Sequence, residues 1–94
     1  MPDQVACESV TIVNRRGLHA RASAKFVNYV AELPSSVVVQ VCKDGACASG
    51  GSILGLMMLG AAKGDSIEIK VSGDDADTAL AMLAALVRDG FGEE

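Results

Sequence analysis

Apolar and polar positions divide the chain into seven segments. Ser9-Val10-Thr11-Ile12-Val13 is a β-branched run and reads as the middle of a strand from about Glu8 to Asn14. From Ala20 to about Glu32 the residues favour a helix, with apolar side chains at Phe26, Val27 and Val30, and Pro34 closes it. Val37 to Cys42 is a second strand. Asp44-Gly45 is a two-residue hairpin signal, so Ala46 to Ala48 should pair back as a short third strand. Gly50-Gly51 interrupt it, and Ser52 can cap a short helix reaching about Met58. Lys63-Gly64-Asp65 turns the chain. Ser66 to Ser72 then alternates, with Ile67, Ile69 and Val71 on one face and Glu68 and Lys70 on the other. Asp74 or Asp75 starts a last helix running to about Asp89, with an apolar stripe of Ala79, Leu80, Leu83, Leu86 and Val87, and Gly90 ends it.

The order is β-α-β-β-α-β-α, which predicts an α+β fold: an antiparallel or mixed sheet with its helices gathered on one face. The alternation in the fourth strand predicts that the sheet's other face meets water. Residues 1–94 read as a single domain, without an internal repeat or a linker.

Composition narrows the picture. Half the residues are hydrophobic, so the chain buries a core, and 94 residues allow one of modest size. Only Phe26, Tyr29 and Phe91 are aromatic, so that core is mainly aliphatic. A net charge of −4 argues against nucleic acid as the main partner. Arg15, Arg16 and Arg21 nevertheless gather around His19, a positive spot suited to a phosphorylated or acidic partner. Met1-Pro2-Asp3-Gln4 lacks the basic region and long apolar run of a signal peptide. The apolar run from Ile53 to Ala62 is too short to span a bilayer and is broken by Gly55 and Gly60. A cytoplasmic protein without membrane insertion is therefore expected. Three cysteines, an odd number, also fit a reducing compartment better than a disulfide scaffold.

The candidate chemistry lies at Gly17-Leu18-His19-Ala20-Arg21, which holds the chain's only histidine at a predicted helix start. Unpaired backbone N–H groups and the positive end of the helix dipole disfavour the imidazolium there, and a neutral ring nitrogen is a nucleophile. The same N–H groups would bind a phosphoryl group attached to the ring, and Arg21 adds a fixed positive charge. Taken alone, a histidine beside a helix start is usually a capping or surface residue. Metal binding is disfavoured, because there is no second histidine and no cysteine near it in sequence, and no cofactor is called for.

Gly17-Leu18-His19-Ala20-Arg21, followed by Ala24, Phe26 and Val27, resembles the active-site signature of the histidine phosphocarrier (HPr) family of bacterial phosphotransferase systems. Ser52-Ile53-Leu54-Gly55-Leu56-Met57-Met58-Leu59-Gly60 is similar to that family's regulatory-serine segment. Gly73 with Asp74-Asp75-Ala76 is similar to its C-terminal part, and the three lie in the family's order. The resemblance implies an open-faced sandwich, a four-stranded antiparallel sheet with three helices on one face. It implies a monomeric carrier that is not an enzyme. His19 would accept a phosphoryl group from a phosphoenolpyruvate-dependent enzyme I and donate it to an EIIA-type protein, with Arg21 stabilising the phosphate. Ser52 would be a target for an HPr kinase/phosphorylase, although Gly51 stands where the family often has a basic residue. Ala22-Ser23 stands where many members have Pro-Ala; Ser23 can compensate for the lost rigidity by bonding backbone near the helix start.

Ser52 by itself reads as an N-cap, and phosphate at a helix N-terminus need not unfold the helix. Ile53, Leu54, Leu56, Met57 and Met58 cannot all face inward on a two-turn helix, so some form an exposed apolar patch. The family docks its partners with this helix and the first one, which assigns Ala20, Ala22, Ile53, Leu54 and Met57 to contact. Cys42 and Cys47 flank the hairpin turn, close enough for a disulfide, but free thiols are the stronger expectation in a reducing cytosol. A rival reading is a regulatory binding module of a nitrogen-related branch, signalling through Ser52 phosphorylation and its apolar surface. The sequence does not separate that role from sugar uptake.

Overall fold

A computed structural model describes residues 5–93; the leader reading of Met1-Pro2-Asp3-Gln4 lies outside the described residues. The elements run β1 (Val5–Thr11), α1 (Ala20–Ala31), β2 (Val38–Lys43), β3 (Ala46–Ser49), α2 (Ile53–Met58), β4 (Ser66–Ser72) and α3 (Ala76–Arg88), followed by a single 3-10 turn at Gly90–Gly92. The strands form one sheet in the order β1-β4-β2-β3, and every pairing is antiparallel. The expected order and the antiparallel open sheet are both observed.

β1 differs from its predicted span by about three residues. The β-branched run continues through Val13, but the ladder ends at Thr11↔Ser66, because β4 begins only after the Lys63–Asp65 turn. Ile12 instead closes that turn, donating to the Asp65 carbonyl at 2.8 Å and accepting from Gly64 N–H at 2.8 Å. At the other end, Val5 to Cys7 pair with Ser72 to Lys70, extending the strand backward.

Alternation decides which way each strand faces. Val10 on β1, Val39 and Val41 on β2, and Ile67, Ile69 and Val71 on β4 are buried beneath the helices. They meet Phe26 of α1, Leu56 of α2 and the Ala79, Leu83 and Val87 stripe of α3 in one core. Cys7, Gln40, Glu68 and Lys70 lie on the opposite, open face.

The ends of α3 add two details. Asp75 occupies the N-cap position, but its backbone is left-handed, with φ 57°, and its side chain caps nothing. At the far end Gly90 stops the helix and Phe91 folds back, fully buried with φ 59°. Burying a whole aromatic side chain offsets the cost of that backbone. Phe91 thereby fixes the C-terminal segment against the body of the protein.

Candidate functional site

The loop between β1 and α1 is held from three sides. Gly17 has φ +61°, and a Cβ there would collide with the Ala61 carbonyl, so only glycine fits. Leu18 N–H donates to that same carbonyl at 3.0 Å, and the Leu18 side chain is buried. Asn14, also buried, donates from Nδ2 to the Gly17 carbonyl at 2.9 Å. The Ser23 hydroxyl donates to the Leu18 carbonyl at 3.2 Å. Ser23 thus braces the helix start as its position suggested.

His19 is the N-cap of α1, in extended backbone with φ −73° and ψ 179°. Its Nδ1 accepts from Arg21 N–H at 3.3 Å. The first helical hydrogen bond runs from Ser23 N–H to His19 O, so the amides of Ala20, Arg21 and Ala22 precede it and have no partner within the helix. The other ring nitrogen, Nε2, lies 2.5 Å from Glu93 Oε2. A carboxylate only accepts, so Nε2 carries the proton in this contact. The neutral ring is then the tautomer with its lone pair on Nδ1, aimed at the helix N-terminus. Dipole and carboxylate act on opposite ring nitrogens and select the same tautomer.

Glu93 is itself positioned. Asn14 Nδ2 donates to its Oε1 at 3.1 Å, and Lys25 Nζ donates to the Phe91 carbonyl at 2.7 Å, pinning the segment that carries it. Burial pushes the Glu93 carboxyl upward, and the hydrogen bonds from Asn14 and His19 pull it the other way. The positive charge of Arg16 adds to them, and the result lies below the ordinary carboxylate value. Sequence reasoning missed Glu93, which is 74 residues from His19. The available signal was Gly90-Phe91-Gly92, a lone aromatic between glycines directly after an apolar helix, which marks a plug that returns the chain to the core.

The remaining predicted residues fall as follows. Arg21 and Ala20 are exposed beside His19. Ala22 is fully buried, which corrects its assignment as a contact side chain: on the first turn of α1 it points into the core, and only its backbone amide is near the site. Ser52 is the N-cap of α2, its hydroxyl accepting from Gly55 N–H at 2.9 Å. Leu56 alone on α2 is buried, whereas Ile53, Leu54 and Met57 are exposed together with Met58, which the sequence assignment omitted. Met58 is 77% exposed, the most of the four, and extends the patch. α1 and α2 pack against each other. Cys42 and Cys47 are bonded to each other, contrary to the expected free thiols, and Cys7 is free and exposed. The cause is local: their cross-strand pairing brings the two Cα atoms to 4.0 Å.

A family model described as the PTS HPr component phosphorylation site matches residues 6–89. The chain belongs to the HPr family. Its members are phosphocarriers of the phosphotransferase system and not enzymes. The chain is 44% identical over 86 residues to the phosphocarrier protein HPr of Neisseria meningitidis serogroup A, covering 92% of this chain and 94% of that protein. It is 40% identical over 84 residues to the HPr of Pseudomonas aeruginosa, covering 89% and 92%. The crystal structure of an HPr from Thermoanaerobacter tengcongensis superposes with a TM-score of 0.87 at 35% identity, over 95% of this chain and 98% of that one. No helix among the described residues is long and apolar enough to cross a membrane.

Proposed function

We propose that this HPr-family chain takes a phosphoryl group on Nδ1 of His19 from the phosphoenolpyruvate-dependent enzyme I and passes it to an EIIA-type protein. The observation that carries the reading is the ring's orientation. Nε2 is committed to Glu93, and Nδ1 presents its lone pair to the open first turn of α1. Phosphoryl transfer asks little covalent chemistry of the protein and depends on positioning and charge. As the Nδ1–P bond forms, the bond from phosphorus to the donor breaks, and the electron pair stays with the donor. The phosphoryl oxygens displace the Arg21 N–H from Nδ1 and take up first-turn amides in its place. The Arg21 guanidinium is exposed one residue into the helix, within reach of those oxygens from the solvent side.

The exposed face of α2 is the docking surface in this reading. Ile53, Leu54, Met57 and Met58 are four neighbouring apolar side chains left uncovered on a six-residue helix. Methionine packs adaptably, which suits a carrier that must bind a donor and an acceptor in turn. Ser52 sits at the edge of that patch, so a phosphate there would place two negative charges beside the buried contact. The cytoplasm, where phosphoenolpyruvate is available, is the matching compartment. Incubation with phosphoenolpyruvate and enzyme I, followed by peptide mapping, tests the proposal: an acid-labile phosphate on the His19 peptide is expected, and phosphate elsewhere or none contradicts it.

A further inference from the structure

The Cys42–Cys47 pair takes no part in the site around His19 and lies on the open face of the sheet. Its geometry follows from the hairpin. Asp44 and Gly45 both have positive φ, 51° and 87°, the type I′ pattern that joins two strands through a two-residue loop. In such a hairpin the pair flanking the loop, Lys43 and Ala46, exchanges the backbone hydrogen bonds. The next pair, Cys42 and Cys47, is then non-hydrogen-bonded, the register at which side chains approach most closely. A Cα separation of 4.0 Å agrees with that register and not with the wider, hydrogen-bonded one. The backbone alone therefore sets the two sulfurs within bonding reach.

The two sulfurs differ in access. Cys42 is 7% exposed, whereas Cys47 stands exposed on β3. β3 is four residues long and pairs only with β2, so the bond ties down the sheet's least supported strand. β3 also touches the docking helix: a Cβ on Gly55 of α2 would meet the Ala48 methyl at 3.2 Å.

We propose that Cys42 and Cys47 form a redox-active site that exchanges with a thiol of the glutathione or dithiol-protein class, with Cys47 the sulfur attacked. An incoming thiolate bonds to Cys47 Sγ and breaks the Cys42–Cys47 bond. Cys42 leaves with the electron pair and takes up the proton that the attacking thiol released. A second thiol then attacks the external sulfur of the mixed disulfide and frees Cys47. Two electrons and two protons pass to the protein, and the attacking pair becomes a disulfide; the reverse sequence reoxidises the hairpin. Where disulfides occur in reducing compartments they are usually transient or sensing, which is the behaviour assigned here. Reduction unties β3 and loosens its contact with α2. The proposal stands independently of phosphoryl transfer through His19.

The test equilibrates the folded full chain in glutathione buffers of graded ratio, denatures it in N-ethylmaleimide, and weighs the intact protein. A Cys7→Ser variant removes the free, exposed thiol from the count. No label is expected at the oxidising end and two at the reducing end, reversibly. Two labels at every ratio, or none even after excess dithiothreitol on the folded chain, overturn the proposal. Adding Cys42→Ser or Cys47→Ser in turn leaves one hairpin thiol, and oxidised glutathione should couple faster to Cys47 than to Cys42; the opposite order overturns the assignment of the attacked sulfur. In the unmodified chain, where Cys7 carries either a maleimide label or a glutathione, the hairpin still gains two labels between the two ends, without any variant that must fold. Hydrogen exchange on the reduced chain should be faster in residues 46–49 and 53–58 and unchanged in β1 and β4; equal protection of α2 in both states overturns the link to the docking helix.

Discussion

Replacing Glu93 by Gln tests how the acceptor ring is held. The carboxylate takes two donors at once, His19 Nε2–H at 2.5 Å and Asn14 Nδ2–H at 3.1 Å. Glutamine keeps one oxygen and turns an NH2 group toward one of those donors. Either Asn14 or His19 then faces a donor with a donor, and the ring escapes the clash by moving its proton to Nδ1, the nitrogen that has to be free. Hydrogen bonds to a charged group contribute about 1.5–3 kcal/mol against about 0.5–1.5 for neutral ones. The Glu93 side chain is 23% exposed, so solvent screening reduces the difference, and we expect a net loss of about 1 kcal/mol. If all of it appears in the transfer step, phosphorylation slows by about fivefold. Nitrogen-15 NMR of the imidazole reads the tautomer, and quench-flow reads the rate. An unchanged Nε2–H tautomer together with an unchanged rate would refute the role given to Glu93. The same variant has a pH signature. The folded-state Glu93 carboxyl lies below its ordinary value, so its contribution to stability is complete above the ordinary carboxylate range and is lost as pH falls through the lowered value. The stability gap between wild type and Glu93→Gln should therefore be open at neutral pH and close in acid, as followed by urea unfolding. A gap that widens in acid contradicts the sign.

Three further outcomes follow from the same geometry. Met57→Glu leaves an exposed position folded but places a carboxylate in the docking patch; calorimetry should show binding to enzyme I weakened by more than about 1.4 kcal/mol, roughly tenfold. Ser52→Ala removes the cap on Gly55 N–H and should cost about 1 kcal/mol, a melting point lower by about 4–8 °C, whereas Ser52→Asp keeps the cap and instead slows transfer to His19. Gly17→Ala forces a Cβ into the Ala61 carbonyl at a left-handed position. Calorimetric melting should show a loss of several kcal/mol, with about 1–3 from the backbone conformation alone, and a variant as stable as the wild type would contradict the close approach of these two segments.

Much of this arrangement was legible in local sequence. Strict alternation in Ser66–Ser72 and the Asp44-Gly45 turn located β4 and the β2–β3 hairpin to within a residue, because side-chain period and turn chemistry act over a few neighbours. The end of β1 was not legible, since where a ladder stops depends on its partner strand. His19 and Ser52 could be placed as caps from the residues beside them. The carboxylate on the ring could not be found that way: Glu93 reaches His19 only because Phe91 buries and Lys25 holds its backbone, a consequence of tertiary packing. Ala22 was misjudged for a related reason, as one residue's turn on a helix separates Arg21 in solvent from a methyl in the core. The cysteine pair was visible as a geometric option, but the expectation of a reducing cytosol pointed the other way.

The phosphoryl transfer proposed for this protein stands or falls with Nδ1 of His19 as the acceptor. Phosphorus-31 and nitrogen-15 NMR of the uniformly labelled chain, after phosphorylation by enzyme I and phosphoenolpyruvate, tests it most directly. One phosphoramidate signal coupled to His19 Nδ1 is expected, with Nε2 still protonated, and no signal in a folded His19→Ala variant. Phosphorus coupled to Nε2, or a phosphoramidate that survives in His19→Ala, would contradict it.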